Sequence, residues 1–212
     1  MEYYPIYLNL KDRNCVVIGG NHEAESKVAG LLDAEARVTV IWPDPNVGLL
    51  KLADKGRLTL HLRDYQPGDL AGAFLVICTV RIAPLNEQVW QEAQTRNTLI
   101  NVMDDIPHCN FIAPSIVRRG DLTLAISTNG KAPALAVRLR QWLERMLGEE
   151  YARFLTLAGT LRAPLAARYP DFTTRKEMWY ALVDSDVLEL LREGKEPEAQ
   201  RRITEITRVA PQ

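Results

Sequence analysis

The feature that most constrains the fold is a regular alternation of short apolar runs with helix-like segments over the first half of the chain. The run at residues 15–18 is rich in β-branched residues and ends at Gly19-Gly20, which favours a strand over a helical turn. From Glu23 onward, apolar residues recur at helical spacing. Strands separated by helices form parallel sheets with right-handed crossovers, so the pattern predicts an α/β fold.

Further apolar runs predict four more strands in this part of the chain. They lie at residues 37–42, 56–62, 73–79 and 98–103. The run at 73–79 is continuously apolar, as expected for a central parallel strand that is covered on both faces. A helix is predicted at 85–96.

The pattern changes after Phe111. Two short strands, a helix and then helices alone are predicted, at 115–117, 122–127, 133–147 and from Glu149 onward, with breaks at Pro164, Pro170 and 194–197. The chain therefore predicts a Rossmann-type parallel-sheet domain at 1–112, a small mixed segment at 113–148 and a helical C-terminal domain at 149–212.

Charge, hydropathy and cysteine usage exclude several functional classes. The chain has 26 Lys and Arg against 27 Asp and Glu, so no overall basic field indicates nucleic acid binding. No apolar stretch reaches the roughly 18 residues that a membrane span needs. Three scattered cysteines without CxxC spacing indicate a reducing compartment. We expect a cytoplasmic protein that binds neither nucleic acid nor membrane.

The segment at residues 16–24 is predicted to form a strand, a glycine turn and the start of a helix. In the dinucleotide fingerprint, three small residues make the turn, admit the pyrophosphate and allow close helix packing. Gly19, Asn21 and Ala24 hold these places, so Asn21 adds a side chain where the phosphates would come closest, although it can also cap the helix. The helix N-terminus offers free N–H groups to an anion. The alternative is a strand-to-helix turn that binds nothing.

An acidic residue that binds a ribose hydroxyl is expected about 20 residues further along, after the second strand. Pro43-Asp44 lies in this region. The alternative interpretation of Asp44 is a solvated turn residue.

Five ordered segments of the chain resemble the siroheme synthase family. They are PIYLNL at 5–10, VVIGG at 16–20, NVMD at 101–104, FIAPSIV at 111–117 and AISTNGKAP at 125–133. The resemblance covers about residues 1–147, and the helical tail more loosely. It implies NAD-dependent oxidation of precorrin-2 to sirohydrochlorin, ferrous iron insertion in some members, and a homodimer joined through the segment at 113–148.

The resemblance also implies site residues. It places the catalytic aspartate at Asp104 and the cofactor contacts at Gly19, Gly20, Asn21, His22, Glu23, Pro43, Asp44 and Thr79. The chain departs from the family at Asn21, where a third glycine is usual, and at Arg81, where Asp or Asn often follows Thr79 by two positions. These departures leave an alternative function open, that of a non-catalytic Rossmann module that binds a nucleotide or a tetrapyrrole.

The loop at residues 104–110 concentrates two carboxylates, an imidazole and a thiol after a strand of the predicted sheet. Dehydrogenation of precorrin-2 needs a base, and chelation needs one as well, so Asp104 could serve both reactions. Loop capping is the alternative role for Asp104 and for Asp105. His108 and Cys109 are adjacent and are not expected to form a stable metal site, and Cys109 is expected to pack.

The implied substrate carries eight carboxylates, so its pocket should offer cations and backbone donors. A polar loop that contains a glycine and leads into a helix is a suitable anion receptor. Its residues are Ser127, Thr128, Asn129, Gly130 and Lys131. The alternative is a solvated turn. In the helical tail, Trp179 is expected to be a core residue more readily than a tetrapyrrole platform.

Overall fold

The computed structural model describes residues 3–211. Met1, Glu2 and Gln212, at the ends of the predicted first and third domains, lie outside the described residues. The chain divides into two compact units between Ala113 and Pro114. Among residues 3–211, no helix is both long and apolar enough to cross a bilayer.

The first unit alternates strands with helices. Its strands are β1 Asn14–Ile18, β2 Arg37–Ile41, β3 Thr59–His61, β4 Leu75–Cys78 and β5 Leu99–Val102. Its helices are α1 His22–Asp33, α2 Val47–Asp54 and α3 Ala83–Thr95, and a short 3-10 helix follows at Ile106–His108. The strands form one parallel sheet in the order β3-β2-β1-β4-β5. This is the strand order of the first five strands of the dinucleotide-binding fold, so the predicted Rossmann-type sheet is confirmed.

Alternation along β1 builds a core on each face of this sheet. Cys15 and Val17 pack into one cluster, which α1 and α2 cover. Val16 and Ile18 pack into the other, to which α3 contributes Val89. Because both faces are covered there, the central strands β1 and β4 are nearly continuous apolar runs rather than alternating ones.

The second unit combines a hairpin with helices. Its elements are β6 Ser115–Arg119, β7 Leu122–Ile126, α4 Pro133–Met146, α5 Glu150–Arg168, α6 Phe172–Val183, α7 Val187–Arg192 and α8 Glu196–Thr207. The two strands pair antiparallel, and the later helices pack around a core that includes Leu161, Leu165 and Leu182. From Pro114 to residue 211, the predicted segments 113–148 and 149–212 lie in this one unit. Within it, Arg119 donates to the Leu147 carbonyl at 2.7 Å.

The helices differ from the sequence analysis in two places, one helix that it omitted and one break that it predicted wrongly. Helix α2 was not predicted, because its short pattern between Pro45 and Gly56 is too brief to stand out. Pro164 was predicted to break the tail, yet it lies inside α5. A proline in a helix interior costs about 3 kcal/mol, but Leu161 and Leu165 on either side of it are both 1% exposed. Their burial holds the helix together across the proline.

Candidate active site

The glycine turn joins β1 to α1 at the carboxyl edge of the sheet, where the strand order reverses between β1 and β4. Gly19 has φ +132°, and a Cβ there would collide with the Thr79 hydroxyl. A Cβ on Gly20 would lie 2.7 Å from the Pro45 Cα. Both positions therefore require glycine. Ligands of open α/β sheets bind in the crevice at this switch point.

Asn21 caps α1. Its φ is −86° and not left-handed, and its side-chain oxygen accepts a hydrogen bond from the Ala24 N–H at 3.0 Å. The N–H groups of His22 and Glu23, in the first turn, have no intrahelical partner by helix geometry. They lie at the helix N-terminus, where the helix dipole stabilises a bound anion. The predicted nucleotide turn therefore keeps amide donors, although Asn21 replaces a glycine.

The loop after β2 is tied directly to the glycine turn. The Asn46 N–H donates to the Gly20 carbonyl at 2.8 Å, and the Asn46 side chain donates to Glu25 at 2.8 Å. This loop carries Pro43 and Asp44, which are both exposed. The predicted ribose-binding residues are thus brought to the same edge of the sheet as the glycine turn.

Thr79 follows β4 and closes the other side of the switch point. It is 1% exposed, and its hydroxyl donates to the Ile18 carbonyl at 3.3 Å and lies 3.4 Å from the Asn21 side-chain oxygen. Thr79 therefore contacts the glycine turn directly and lies beside Asn21, another of the predicted cofactor contacts.

Asp104 follows β5 at the same edge and forms an ion pair with Arg81. The Arg81 Nε and Nη2 atoms donate to Asp104 Oδ2 at 2.9 and 2.5 Å. The two side chains are 61% and 63% exposed, respectively. Asp104 has φ +60°, a conformation uncommon outside glycine and often found at functional sites.

This ion pair is the contact that sequence reasoning missed. Arg81 stood out in the sequence only as a departure from the family. Its partner lies 23 residues away, and only the pairing of β4 with β5 brings the ends of these strands together. The Asp104 carboxylate raises the pKa of the Arg81 guanidinium, first through the hydrogen bonds and then through charge. Arg81 is therefore a fixed cation beside the candidate base.

Asp105 and His108 form a cluster with α3, separate from the Arg81–Asp104 pair. His108 Nδ1 lies 2.8 Å from Asp105 Oδ1, a close charge contact without hydrogen-bond alignment, and His108 Nε2 lies 2.9 Å from Glu87 Oε2. Asn86 donates to the other Asp105 oxygen at 3.4 Å. The contact with the Asp105 carboxylate is the main cause that raises the pKa of His108, and the contact with Glu87 adds to it. Asp105 anchors the loop to α3.

The thiols near the site, Cys78 and Cys109, are buried. Cys109 is 5% exposed, and its sulfur contacts the Val102 N–H and carbonyl, each at 3.2 Å. Burial raises the pKa of Cys109, and it raises the pKa of Cys78 to about 11. Within residues 3–211, no group of three or more His, Cys, Asp or Glu side chains could hold a metal ion.

The polar loop between β7 and α4 lies in the second unit. The Ser127 hydroxyl accepts from the Asn129 N–H at 3.0 Å, and the Thr128 hydroxyl accepts from the Ala132 N–H at 3.2 Å. Asn129 and Gly130 both have positive φ. These bonds order the loop internally, and Lys131 is exposed. The prediction that this loop binds substrate carboxylates remains a prediction.

The parallel sheet, the glycine turn at the switch point and the paired aspartate define a Rossmann-type dinucleotide-binding protein. A family model described as "Putative NAD(P)-binding" matches residues 6–115. A model of the "Sirohaem biosynthesis protein central" region matches 119–146, and one of the "Sirohaem synthase dimerisation region" matches 150–206. The chain belongs to the siroheme synthase family. The dimerisation description falls on 150–206, whereas the resemblance led us to expect dimerisation at 113–148.

Individual relatives are similar along most of this chain. A siroheme synthase of Pseudoalteromonas atlantica is 35% identical over 201 residues, 95% of this chain and 44% of the relative. One of Photobacterium profundum is 35% identical over 207 residues, 98% of this chain and 44% of the relative. This chain thus spans less than half of their length. A solved structure titled "SirC, precorrin-2 dehydrogenase" shares the fold, with a TM-score of 0.80, 24% identity and coverage of 96% of this chain and all of that one.

Proposed function

We propose that the protein oxidises precorrin-2 to sirohydrochlorin and uses NAD as the hydride acceptor. The observation that carries this proposal is the position of Asp104, an exposed carboxylate at the carboxyl edge of β5, on the sheet edge that also holds the glycine turn. The name of the solved relative, a precorrin-2 dehydrogenase, and the names of the siroheme synthase relatives support the same reaction.

The residues at the switch point fit a dinucleotide. Gly19 and Gly20 leave the backbone bare where a Cβ would collide with its neighbours, and the His22 and Glu23 amides can bind a phosphate. We assign the ribose contact to Pro43-Asp44 and the inner wall to Thr79. When bound, NAD accepts a hydride from the substrate.

NAD rather than NADP is favoured by the loop after β2. Residues 42–46 read WPDPN and contain a carboxylate but no Lys or Arg. An acidic residue at this place binds the ribose 2′-hydroxyl, whereas an arginine accommodates a 2′-phosphate. The charge of Asp44 would repel that phosphate.

The reaction removes two hydrogens from the substrate, one as the hydride and one as a proton. Asp104 takes the proton in this proposal, since a carboxylate within reach of the ring can act as general base. Arg81 engages only Oδ2, which leaves Oδ1 to approach the substrate. Iron insertion also releases protons, two from the pyrroles, and the same carboxylate would accept them if ferrous iron is a second substrate.

Substrate recognition is assigned to the loop at 127–131, where Lys131 and the backbone amides would bind carboxylates. This assignment rests on the polar composition of the loop and on the exposure of Lys131. Charge-assisted hydrogen bonds to carboxylates are about twice as strong as neutral ones.

A homodimer is part of the proposal. Helix α4 exposes an apolar stripe at i, i+4, i+7 and i+11, formed by Leu135, Leu139, Trp142 and Met146. Such a stripe marks an interaction surface, and the family model for 150–206 is itself named after dimerisation.

A second candidate function follows from the Arg81–Asp104 pair. The guanidinium neutralises the candidate base when no ligand is bound, which suits a module that binds NAD or a tetrapyrrole without catalysis. In that case the protein would bind NAD and release no NADH on mixing with precorrin-2.

The test is NADH formation by the wild type and by Asp104→Asn. The amide keeps the size of the side chain and still accepts a bond from Arg81, but it cannot take the proton, so oxidation should fall about 10²–10⁴-fold. NAD affinity by calorimetry should stay the same, and any iron insertion should fall together with oxidation. Asp105→Asn is the matched control. It should reduce the rate of oxidation much less, because Asp105 anchors the loop and takes no part in the proton transfer. Oxidation by Asp104→Asn at the parent rate would remove Asp104 as the base.

A further inference from the structure

Two helices of the first unit, α1 and α2, begin at the carboxyl edge of the parallel sheet. Helix α1 follows β1 through the glycine turn, and α2 follows β2 through the loop at residues 42–46. By helix geometry, the first turn of each helix has amide N–H groups without an intrahelical partner. A helix N-terminus of this kind attracts an anion. Each of the two could therefore contact a phosphate of a bound dinucleotide.

The first turn of α2 already holds a carboxylate, which Glu25 supplies from α1. A Cβ placed on Gly48, the second residue of α2, would lie 1.9 Å from Glu25 Oε1 and 2.3 Å from the carboxyl carbon. The carboxylate thus occupies the space that a side chain at position 48 would need. Its negative charge is stabilised there by the dipole of α2.

Hydrogen bonds hold the Glu25 carboxylate in this place. The Asn46 side-chain nitrogen donates to Glu25 Oε2 at 2.8 Å, and the Asn46 side-chain oxygen accepts from the Leu49 N–H at 3.0 Å. One amide therefore caps α2 and binds Glu25 at the same time. The Glu25 side chain is 34% exposed. Its charge has a fixed position beside the crevice.

This side of the crevice is negatively charged. Among residues 3–211, no Lys or Arg lies within ion-pair distance of Glu25, and the nearer nitrogen of the exposed His22 ring lies 3.6 Å from Oε2. Asp44, on the exposed loop that leads into α2, adds a second carboxylate. An anionic group that approached the N-terminus of α2 would meet both charges.

We infer that Glu25 is a specificity-determining residue for the cofactor and that it excludes the 2′-phosphate of NADP from the N-terminus of α2. The inference rests on the proposed function, which assigns the ribose to the loop of Asp44. A 2′-phosphate beside Asp44 would lie near this helix terminus, because α2 begins three residues further along, at Val47. An empty terminus would bind the phosphate, whereas the Glu25 carboxylate repels it. NAD carries a neutral hydroxyl at that position.

The test compares the binding of NAD and NADP to the full chain by titration calorimetry. Glu25→Gln keeps the size of the side chain and can still accept the hydrogen bond from Asn46, but it carries no charge. We expect it to bind NADP more tightly, by roughly five- to thirtyfold, the range of a charge at a partly buried helix terminus. Its NAD affinity should equal that of the wild type. Added salt should narrow the wild-type preference for NAD, since it screens the repulsion.

Two further variants separate the charge from the hydrogen bond. Glu25→Asp keeps the charge but is one methylene shorter and should lose the bond to Asn46, so it should retain most of the preference for NAD. Glu35→Gln is the matched control, since it removes a carboxylate beyond the far end of α1, where Glu35 pairs with Lys11 at 2.7 Å. The ratio of NADP to NAD affinity should not change in this variant.

Several outcomes would overturn the inference. They are an unchanged NADP affinity in Glu25→Gln, a wild type that prefers NADP, and a wild type that binds neither dinucleotide. A gain in NADP affinity by Glu25→Asp but not by Glu25→Gln would make the bond to Asn46 the cause, and would overturn it as well.

The outcome can be separated from that of the proposed oxidation. If the wild type forms no NADH from precorrin-2 but Glu25→Gln gains NADP affinity, the proposed reaction fails and the role of Glu25 stands. If the wild type forms NADH and Glu25→Gln keeps the parent ratio of affinities, the role of Glu25 fails and the reaction stands.

Discussion

At the scale of single residues, Asn21 has two opposing effects at the glycine turn. Its side chain caps α1 through the Ala24 N–H, and an asparagine cap is worth about 1 kcal/mol over alanine but only a few tenths over glycine. The same side chain adds atoms beside the position of a pyrophosphate. Stability and cofactor affinity therefore respond differently to substitution at this position.

We expect Asn21→Gly to bind NAD more tightly, by about 1 kcal/mol. The Asn21 side chain crowds the position of the pyrophosphate, and removing it relieves a cost comparable to that of modest overpacking. Its thermal stability should stay close to that of the parent. Asn21→Ala is the control, since it removes the cap and should be destabilised by about 1 kcal/mol. Titration calorimetry with NAD and thermal unfolding measure the two quantities. Unchanged or weaker NAD binding by Asn21→Gly would show that crowding is not the reason.

In the proposed function, the preference for NAD over NADP rests on Asp44. We expect the wild type to bind NAD more tightly than NADP. Asp44→Arg reverses the sign of the charge at the ribose position, so it should shift the preference toward NADP. A charge-assisted bond of this kind is worth about 1.5–3 kcal/mol. Asp64→Arg, on an exposed loop beyond β3, offers a control with the same change in charge. Equal NAD and NADP affinities in the wild type would contradict the assignment of Asp44.

At the scale of elements, the segment after β5 is held to α3 by one imidazole between two carboxylates. His108 lies beside Asp105 and Glu87 and meets the Trp90 ring edge-on, with ring centres 5.8 Å apart. The raised pKa of His108 means that folding favours its protonated form. The 3-10 helix at Ile106–His108 is thus tied to α3 more firmly in acid than in base.

The sign of the pH effect follows from this raised pKa. The stabilisation by His108 is complete below its ordinary pKa of 6.5 and is lost as the pH rises through the higher pKa of the folded state. His108→Gln should therefore lower the free energy of unfolding below pH 6.5, by about 0.5–1 kcal/mol, and much less at alkaline pH. Urea unfolding across this window measures it. A difference that grows with pH would contradict the assignment.

At the scale of the whole molecule, the exposed stripe of α4 is the feature that a second copy would cover. Trp142 and Met146 are 51% and 57% exposed. Interfaces of obligate dimers are more apolar than those of transient complexes, so these side chains suit a stable dimer contact. The pairing of β6 with β7 leaves two strand edges in a two-stranded sheet, and such edges also invite pairing.

We expect the wild type to be a dimer at micromolar concentration, by light scattering. Trp142→Ser combined with Leu139→Ser should shift it toward the monomer, because large apolar anchors carry much of the binding energy of an interface, about 2 kcal/mol or more each at its centre. Val137→Ser, on another side of the same helix, is the control. A wild-type monomer would refute the assembly, and a double variant that remains a dimer would refute the role of α4.

The sequence alone determined the parallel sheet, the position of the glycine turn and the polar loop after β5, because these depend on local patterns of apolar residues, glycine and proline. The tertiary structure alone decided that α5 continues through Pro164, since that depends on the burial of Leu161 and Leu165. It also decided that Arg81 pairs with Asp104 and that His108 pairs with Glu87, contacts between residues far apart in sequence. Residues distant along the chain meet only where strand register and helix packing bring them together, and no local pattern encodes that meeting.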